Sequence, residues 1–352
     1  MRSASGPGPT PVTNEVVGID PLAIAGWFEQ LGLAVTGPLR FERIGLGQSN
    51  LTYLVRDASD QEWVLRRPPL GTLLASAHDV GREARILAAL QDTAVPTPRV
   101  YGLTRDDADV PLLLMEFVDG LVVDRMPIAE ALTPQHRRQI GLSLPRTLAK
   151  IHAVDIDEVG LSDLASHKPY AQRQLKRWAG QWELSKTREL PDLDDLTRRL
   201  IAAAPPHQEL TLVHGDFHLR NVLTSYTTGE VIAVLDWELS TLGDPLADMG
   251  SLLAYWPARG EDTAGDFAAA ALDGFPDRAE MAQVYLAETG RDAETLKYWY
   301  ALGLWKVAVI AEGVMRRAID EPQNKAASGT PTVHRIDALV QKAREVAKDA
   351  GI

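Results

Sequence analysis

The sequence contains no cysteine in its 352 residues. Disulfides, thiol nucleophiles and thiolate-bound metals are thereby excluded. Basic residues are in deficit, with 36 Lys and Arg against 48 Asp and Glu and a formal net charge of −12. That balance speaks against a nucleic acid or an anionic membrane held by bulk electrostatics, although local basic patches are compatible with it. Long apolar runs are missing as well. The longest candidate, Tyr298 to Ile310, is interrupted by Lys306 and reads as a buried helix rather than a membrane span. Residues 1–18, rich in Gly, Pro, Ser and Thr, contain no apolar segment of the length that a signal peptide requires. They read as a disordered tail, and a cytoplasmic protein is expected. The oligomeric state is left open.

What is present centres on Leu212 to Leu223, a stretch that contains His214, Asp216 and Asn221. A second apolar run, Val231 to Leu235, ends in Asp236, Trp237 and Glu238. The two runs flank a turn-like Thr227-Thr228-Gly229-Glu230, which predicts paired short strands that bring Asp216, Asn221 and Asp236 together. Two carboxylates and an amide oxygen then converge. The spacing His-x-Asp-x-x-x-x-Asn matches the catalytic loop of the kinase fold, where the Asp accepts the proton of the attacking hydroxyl and the Asn holds Mg²⁺. A further Asp closing the next strand supplies another hard oxygen donor, and Asp236 fills that place, with Trp237 where kinases carry the Phe of Asp-Phe-Gly. Taken singly, each residue has a plainer account: an Asp after a strand caps the next turn, and an Asn bonds its own backbone. A zinc site from His214 and His218 fits less well. That motif needs Glu directly after the first His and both His on a helix, and Gly215 and the strand context break both conditions.

Taken together, His214-Gly215-Asp216-Phe217-His218-x-x-Asn221, Leu235-Asp236-Trp237-Glu238 and Gly243-Asp244-Pro245-x-x-Asp248 resemble the aminoglycoside phosphotransferase family of kinase-like enzymes. The likeness runs roughly from Phe41 to Arg317. It implies an α+β, two-lobed protein-kinase-like fold, with a small antiparallel-sheet N-lobe over residues 19–118 and a mostly helical C-lobe over residues 119–352. It also implies ATP, or GTP, bound with Mg²⁺ in a cleft.

Nearer the N-terminus, Phe41 to Ile44, the stretch Gly45-Leu46-Gly47-Gln48-Ser49-Asn50 and Leu51 to Val55 read as strand, glycine turn and strand. Glycines there let backbone N–H groups approach a triphosphate; a plain hairpin turn has the same pattern. Asn50 stands where the kinase loop has its third glycine, and Ser49 and Asn50 offer side-chain hydrogen bonds instead. In the strand Glu62 to Arg67, Val64 and Arg66 lie two apart and share a face, as the Ala and Lys of the kinase strand do. Arg66 thus replaces the lysine, and its planar fork suits phosphate oxygens. The run Leu65-Arg66-Arg67-Pro68-Pro69 resembles the branch of the family that includes the kinase-like N-terminal domain of certain large acyl-CoA dehydrogenases, where Arg at this place is usual. A helix from Gly81 to Leu90 turns Leu87 and Leu90 inward, and Glu83, one turn before Leu87, can reach Arg66; a solvated helix charge is the alternative. Two further strands end at Met115, Glu116 and Val118. A hinge there would offer backbone groups of Glu116 and Val118 to adenine, with Met115 behind the base.

The C-terminal part reads as helical. Ile140, Leu144, Leu148 and Ile151 form one apolar stripe leading to His152, taken as a core or cap residue rather than a catalytic one, and Asp244 and Asp248 are expected to brace the catalytic loop. Gly243 follows Asp236 too soon for a peptide-docking activation segment, so a small-molecule acceptor is expected. The reaction implied is transfer of the γ-phosphoryl group to a small-molecule hydroxyl. Asp216 acts as base, Asn221 and Asp236 hold Mg²⁺, and the acceptor is an aminoglycoside or aminoalcohol, or a hydroxyacyl-CoA. The alternative is a nucleotide-binding pseudokinase with a sensor or scaffold role, motivated by Arg66 and Asn50.

Overall fold

Alternation of side chains along one short strand, Glu62 to Arg67, sets the architecture of the N-terminal part. The computed structural model describes residues 16, 18–45, 50–70, 79–164, 168–205, 209–261, 265–320 and 330–352. The predicted tail, apart from Val16 and Gly18, lies outside them. Helix α1 (Pro21–Gln30) begins where the sequence signals it: the Leu22 N–H donates to Asp20 Oδ1 at 2.9 Å, and Pro21 supplies a preset φ for the first turn. Strands β1 (Arg40–Ile44), β2 (Leu51–Arg56), β3 (Glu62–Arg67), β4 (Val100–Arg105) and β5 (Pro111–Glu116) form one antiparallel sheet in the order β1-β2-β3-β5-β4. Successive side chains of β3 leave opposite faces. Trp63 and Leu65 join Tyr53, Val55, Leu112 and Leu114 in a core closed by Ile24, Trp27 and Phe28 of α1. Val64 and Arg66 take the other face, opposite Met115 and Leu113 of β5, and meet α2 (Val80–Leu90) through Glu83.

The chain divides into two compact units, one of Met1–Ala88 with Pro98–Phe117 and one of Ala89–Thr97 with Val118–Ile352. Residues 89–97 are tied into the second unit, where the Val234 N–H donates to the Pro96 carbonyl at 2.8 Å.

Helices dominate that second unit: α3 (Met126–Ala131), α4 (Pro134–His152), α5 (Tyr170–Ser185), α6 (Pro191–Ala202), α7 (Pro245–Tyr255), α8 (Arg278–Thr289), α9 (Ala293–Asp320) and α10 (Val333–Asp349). In α4 the predicted stripe of Ile140, Leu144, Leu148 and Ile151 is fully buried. Two small antiparallel pairs carry the motif residues. Strand β6 (Thr211–Val213) pairs with β9 (Thr241–Gly243), and β7 (Val222–Thr224) pairs with β8 (Val231–Val234) around the expected turn.

Helices α7 and α9 cross at a pair of glycines. A Cβ on Gly250 would lie 2.4 Å from the Trp299 carbonyl group, and one on Gly303 would lie 2.7 Å from the Gly250 carbonyl oxygen. Only glycine permits this approach. Its consequence is local: Asp248, just before Gly250, and Lys306, one turn after Gly303, are both delivered to the loop that follows β6.

Candidate active site

That loop is His214 to Asp216, and its backbone is held by one carboxylate. Asp248 Oδ2 accepts from the His214 N–H at 2.6 Å and Oδ1 accepts from the Gly215 N–H at 2.9 Å, while His152 Nε2 lies 3.4 Å from Oδ2. Asp248 therefore braces the loop as expected. Asp244 does not: it caps α7 by accepting from the Leu246 N–H, because it sits at Ncap with Pro245 at the first helical position. His152 is a core residue, with Nδ1 2.7 Å from the Tyr285 hydroxyl. Gly215 takes φ +85°, and a Cβ there would meet the Leu239 carbonyl oxygen at 2.7 Å, so the turn that presents Asp216 requires glycine.

His214 links the loop to the next motif. Its Nε2 donates to the Leu235 carbonyl at 2.9 Å and its Nδ1 accepts from the Asp216 N–H at 3.3 Å, the pattern of a neutral imidazole. Burial pushes its pKa down in the same sense. Asn221 donates through Nδ2 to the Asp216 carbonyl at 3.0 Å and lies 3.4 Å from Asp216 Oδ2, and its own carbonyl accepts from the Leu235 N–H at 2.8 Å. The hairpin thus brings Asp216 and Asn221 together, with Asp236 one residue beyond the Leu235 bond. Asp236 itself holds φ +67° and ψ +60°, a left-handed backbone uncommon outside glycine and frequent at functional sites. Behind it Trp237 is fully buried, donates to the Val234 carbonyl at 3.0 Å and packs on the His214 ring.

Asp216 is half-buried and opens into a cavity of about 330 Å³ lined also by Trp178, Leu239, Tyr255, Lys306, Ile310 and Arg317. Burial pushes its carboxyl up, but the charge and hydrogen bond of His218 and the charge of Lys306 outweigh this and hold it well below the usual carboxylate range. His218 Nε2 lies 3.4 Å from Asp216 Oδ2, and its ring is wedged between Tyr255 and Phe267. Lys306 Nζ donates to the Gly215 carbonyl at 3.1 Å and sits 5.5 Å from the centroid of the Trp178 ring. Burial lowers the Lys306 pKa, and Asp216 and Asp248 oppose that shift.

In the first unit, Arg66 Nε lies 3.0 Å from Glu83 Oε2, and both side chains are buried. Val64 faces Met115 across β3 and β5. The Glu116 N–H donates to the Arg99 carbonyl at 2.8 Å, and its Oε2 accepts from the Arg99 N–H at 3.1 Å. Val118, counted with the second unit, is half-buried. Gly45 follows β1 with φ +79°, and Asn50 is buried at the entry to β2. Gly47 and Ser49 lie outside the described residues.

The model of the phosphotransferase enzyme family matches residues 40–284. The chain belongs to that family. Over 325 residues it is 35% identical to acyl-CoA dehydrogenase family member 10 of Mus musculus, covering 91% of this chain and 30% of that protein. The chain spans about a third of the length of the curated relatives it matches. A crystal structure of a candidate aminoglycoside phosphotransferase from Ralstonia eutropha superposes with a TM-score of 0.74 at 32% identity, covering 94% of this chain and 98% of that one. A thermostable mutant of the aminoglycoside phosphotransferase APH(4)-Ia, solved with AMP-PNP and hygromycin B, shares the fold at a TM-score of 0.59 and 14% identity, over 93% of this chain and 98% of that one. The fold is thus the kinase-like α+β fold of these phosphotransferases.

For a phosphotransferase that uses Mg²⁺, the donor set is suitable. Asn221 donates through Nδ2 to the Asp216 carbonyl, so its amide oxygen is not used in that bond, and Asp236 directly follows Leu235, whose N–H donates to the Asn221 carbonyl. Mg²⁺ is commonly held by one or two protein oxygens with phosphates and water completing the shell. Among the described residues no cluster of three or more His, Asp or Glu could hold a metal alone. Among them, too, no helix is long and apolar enough to cross a membrane.

Two site residues escaped the sequence reading. Lys306 registers there only as the break in an apolar run, and Tyr255 is not singled out. A lone lysine on an otherwise apolar stretch is the signal that was available, since a buried ammonium needs a partner.

Proposed function

We propose that the chain transfers the γ-phosphoryl group of a nucleoside triphosphate to the hydroxyl of a small molecule. The observation that carries this reading is Asp216: a carboxylate tethered by Asn221 and His218 at the wall of a cavity large enough for a small acceptor. Asp216 accepts a hydrogen bond from the acceptor hydroxyl and orients its oxygen toward phosphorus. As the new oxygen–phosphorus bond forms and the bond to the leaving nucleoside diphosphate breaks, the hydroxyl proton passes to Asp216. Asn221 and Asp236 would hold Mg²⁺, which would supply positive charge against that of the phosphate groups. Arg66, kept in place by Glu83, binds phosphate oxygens, with Gly45 and Asn50 as further nucleotide-binding residues. The Met115 to Val118 stretch receives the nucleotide base. ATP is the expected donor, with GTP as the other candidate. The N-lobe of residues 19–118 and C-lobe of residues 119–352 are the proposed division of labour. The acceptor belongs to one of two classes, an aminoglycoside or aminoalcohol, or a hydroxyacyl-CoA.

The test is ³¹P NMR of the protein with Mg-ATP and a panel drawn from both acceptor classes, with Asp216→Ala alongside. A new phosphomonoester resonance with one class, absent in the variant, is the expected result. Nucleotide binding without transfer to any acceptor would refute the enzymatic reading in favour of a nucleotide sensor.

A further inference from the structure

One wall of the Asp216 cavity is a single stripe of α9, and the charges on that stripe have one sign. Lys306, Ile310, Gly313 and Arg317 follow one another at helical i, i+4, i+7 and i+11 spacing, and all line the cavity. Lys306 marks the reacting end, because its Nζ donates to the carbonyl of Gly215, the neighbour of Asp216. Gly313 lies about 10 Å further along the helix axis at 1.5 Å per residue. Arg317 Nη1 comes within 3.9 Å of the point where a Cβ on Gly313 would sit, so the guanidinium folds back over the glycine toward the cavity. Among the described residues no carboxylate lies within ion-pair distance of Arg317, although the chain as a whole is acidic. Val309, Ile310 and Leu239 provide the apolar stretch between the two ends, and Asp216 is the sole acid among the described lining residues.

We infer that this cavity selects a negatively charged acceptor: a hydroxylated molecule whose hydroxyl is separated by an apolar stretch from an anionic group about 10 Å away. Arg317 is the specificity-determining residue that reads the anion. The inference rests on the proposed phosphotransfer at Asp216. An acceptor of this shape places its hydroxyl at Asp216, its aliphatic part along Val309 and Ile310, and its anion on the guanidinium fork, which is built for carboxylate or phosphate oxygens. A polycationic acceptor would instead meet Lys306 and Arg317, with Asp216 the one acid among the described lining residues to offset them, and like charges brought together in a partly desolvated pocket discriminate strongly. Lys306 cannot take the anion reader's part, because its charge is already committed to the Gly215 carbonyl, the Trp178 ring and the field of Asp216.

The experiment uses the full chain, wild type and Arg317→Glu, with hydroxyalkanoates, hydroxyalkylamines and diols of matched and graded chain length. Transfer from Mg-ATP is followed by ³¹P NMR and steady-state kinetics, and acceptor binding separately by calorimetry. Arg317 is exposed, so the variant is expected to fold, with circular dichroism as the check. The wild type should prefer hydroxyalkanoates over the matched amines by about tenfold or more in KM, and Arg317→Glu should abolish or reverse that order. Equal use of the two charge types by the wild type, or an unchanged order in the variant, overturns the inference while leaving phosphotransfer standing. Alkanoates that bind in an Arg317-dependent manner without being phosphorylated would uphold the pocket and overturn the phosphotransfer reading. Neither binding nor transfer of any hydroxyalkanoate overturns the inference as well.

Discussion

Removing the Asp248 carboxylate should loosen the loop from His214 to Asp216. The carboxylate is almost wholly buried and accepts two backbone N–H bonds, from His214 and Gly215, at 2.6 and 2.9 Å. A hydrogen bond to a charged acceptor contributes about 1.5–3 kcal/mol, and a buried donor left without a partner costs about 1–3 kcal/mol. Asp248→Ala strands two such donors together with His152 and is expected to lose about 3–5 kcal/mol. Asp248→Asn keeps one acceptor oxygen but turns an NH₂ toward the second backbone donor, and is expected to lose about 2–3 kcal/mol. Urea unfolding followed by circular dichroism reads the loss as a lower midpoint at unchanged slope. Turnover should fall in both variants, since the loop that carries Asp216 loses its brace. A loss below about 1 kcal/mol for Asp248→Ala would refute the reasoning, because it would mean that the two N–H groups find other partners.

Glu83→Gln should destabilise the first unit by about 3–5 kcal/mol, since it removes a buried charge that faces the Arg66 guanidinium. Mg-ATP should raise the melting temperature of this variant by more than that of the wild type, as phosphate supplies the missing charge; an equal rise would count against Arg66 as the phosphate ligand. Burial raises the Asp244 carboxyl from its ordinary 3.8 to about 6, so the folded state binds that proton more tightly than the unfolded chain. The stability it contributes is full below pH 4 and is lost as pH rises through about 6, on the order of 2–3 kcal/mol, and Asp244→Asn should flatten this part of a pH–stability curve relative to the wild type.

The elements that were legible in the sequence are those whose function sits in local spacing. Asp20 and Pro21 specify the start of α1, the Ile140 to Ile151 stripe specifies the buried face of α4, and the hairpin around Gly229 sets Asn221 beside Leu235. The Arg66–Glu83 pair was legible for a similar reason, because strand period and helix period each fix which way one side chain points. Asp244 was misread as a loop brace because spacing cannot distinguish a carboxylate that caps its own helix from one, a single turn later, that reaches another segment. Lys306 was not legible because its role depends on α9 crossing α7 at Gly250 and Gly303, and no periodicity along either helix announces a crossing point. Strands β6 and β9 are three residues each, too short for their pairing to show as a pattern.

The electrostatics of the proposed site set limits on what Asp216 does in the reaction. A carboxylate held well below its usual range by His218 and Lys306 is a weak base, and an alcohol proton does not move to it while the oxygen is still a neutral hydroxyl. In the proposed reaction proton transfer is therefore late, occurring as the bond to phosphorus forms and the oxygen becomes acidic. The work of Asp216 before that point is directional. This is why its surroundings fix its position so fully, with Asn221 Nδ2 on the carbonyl and near Oδ2, His218 near Oδ2, and Asp248 on the two backbone groups just before it. Phosphoryl transfer through a loose transition state demands little basicity of the general base and close alignment of the attacking oxygen, and the network around Asp216 supplies alignment at the expense of basicity.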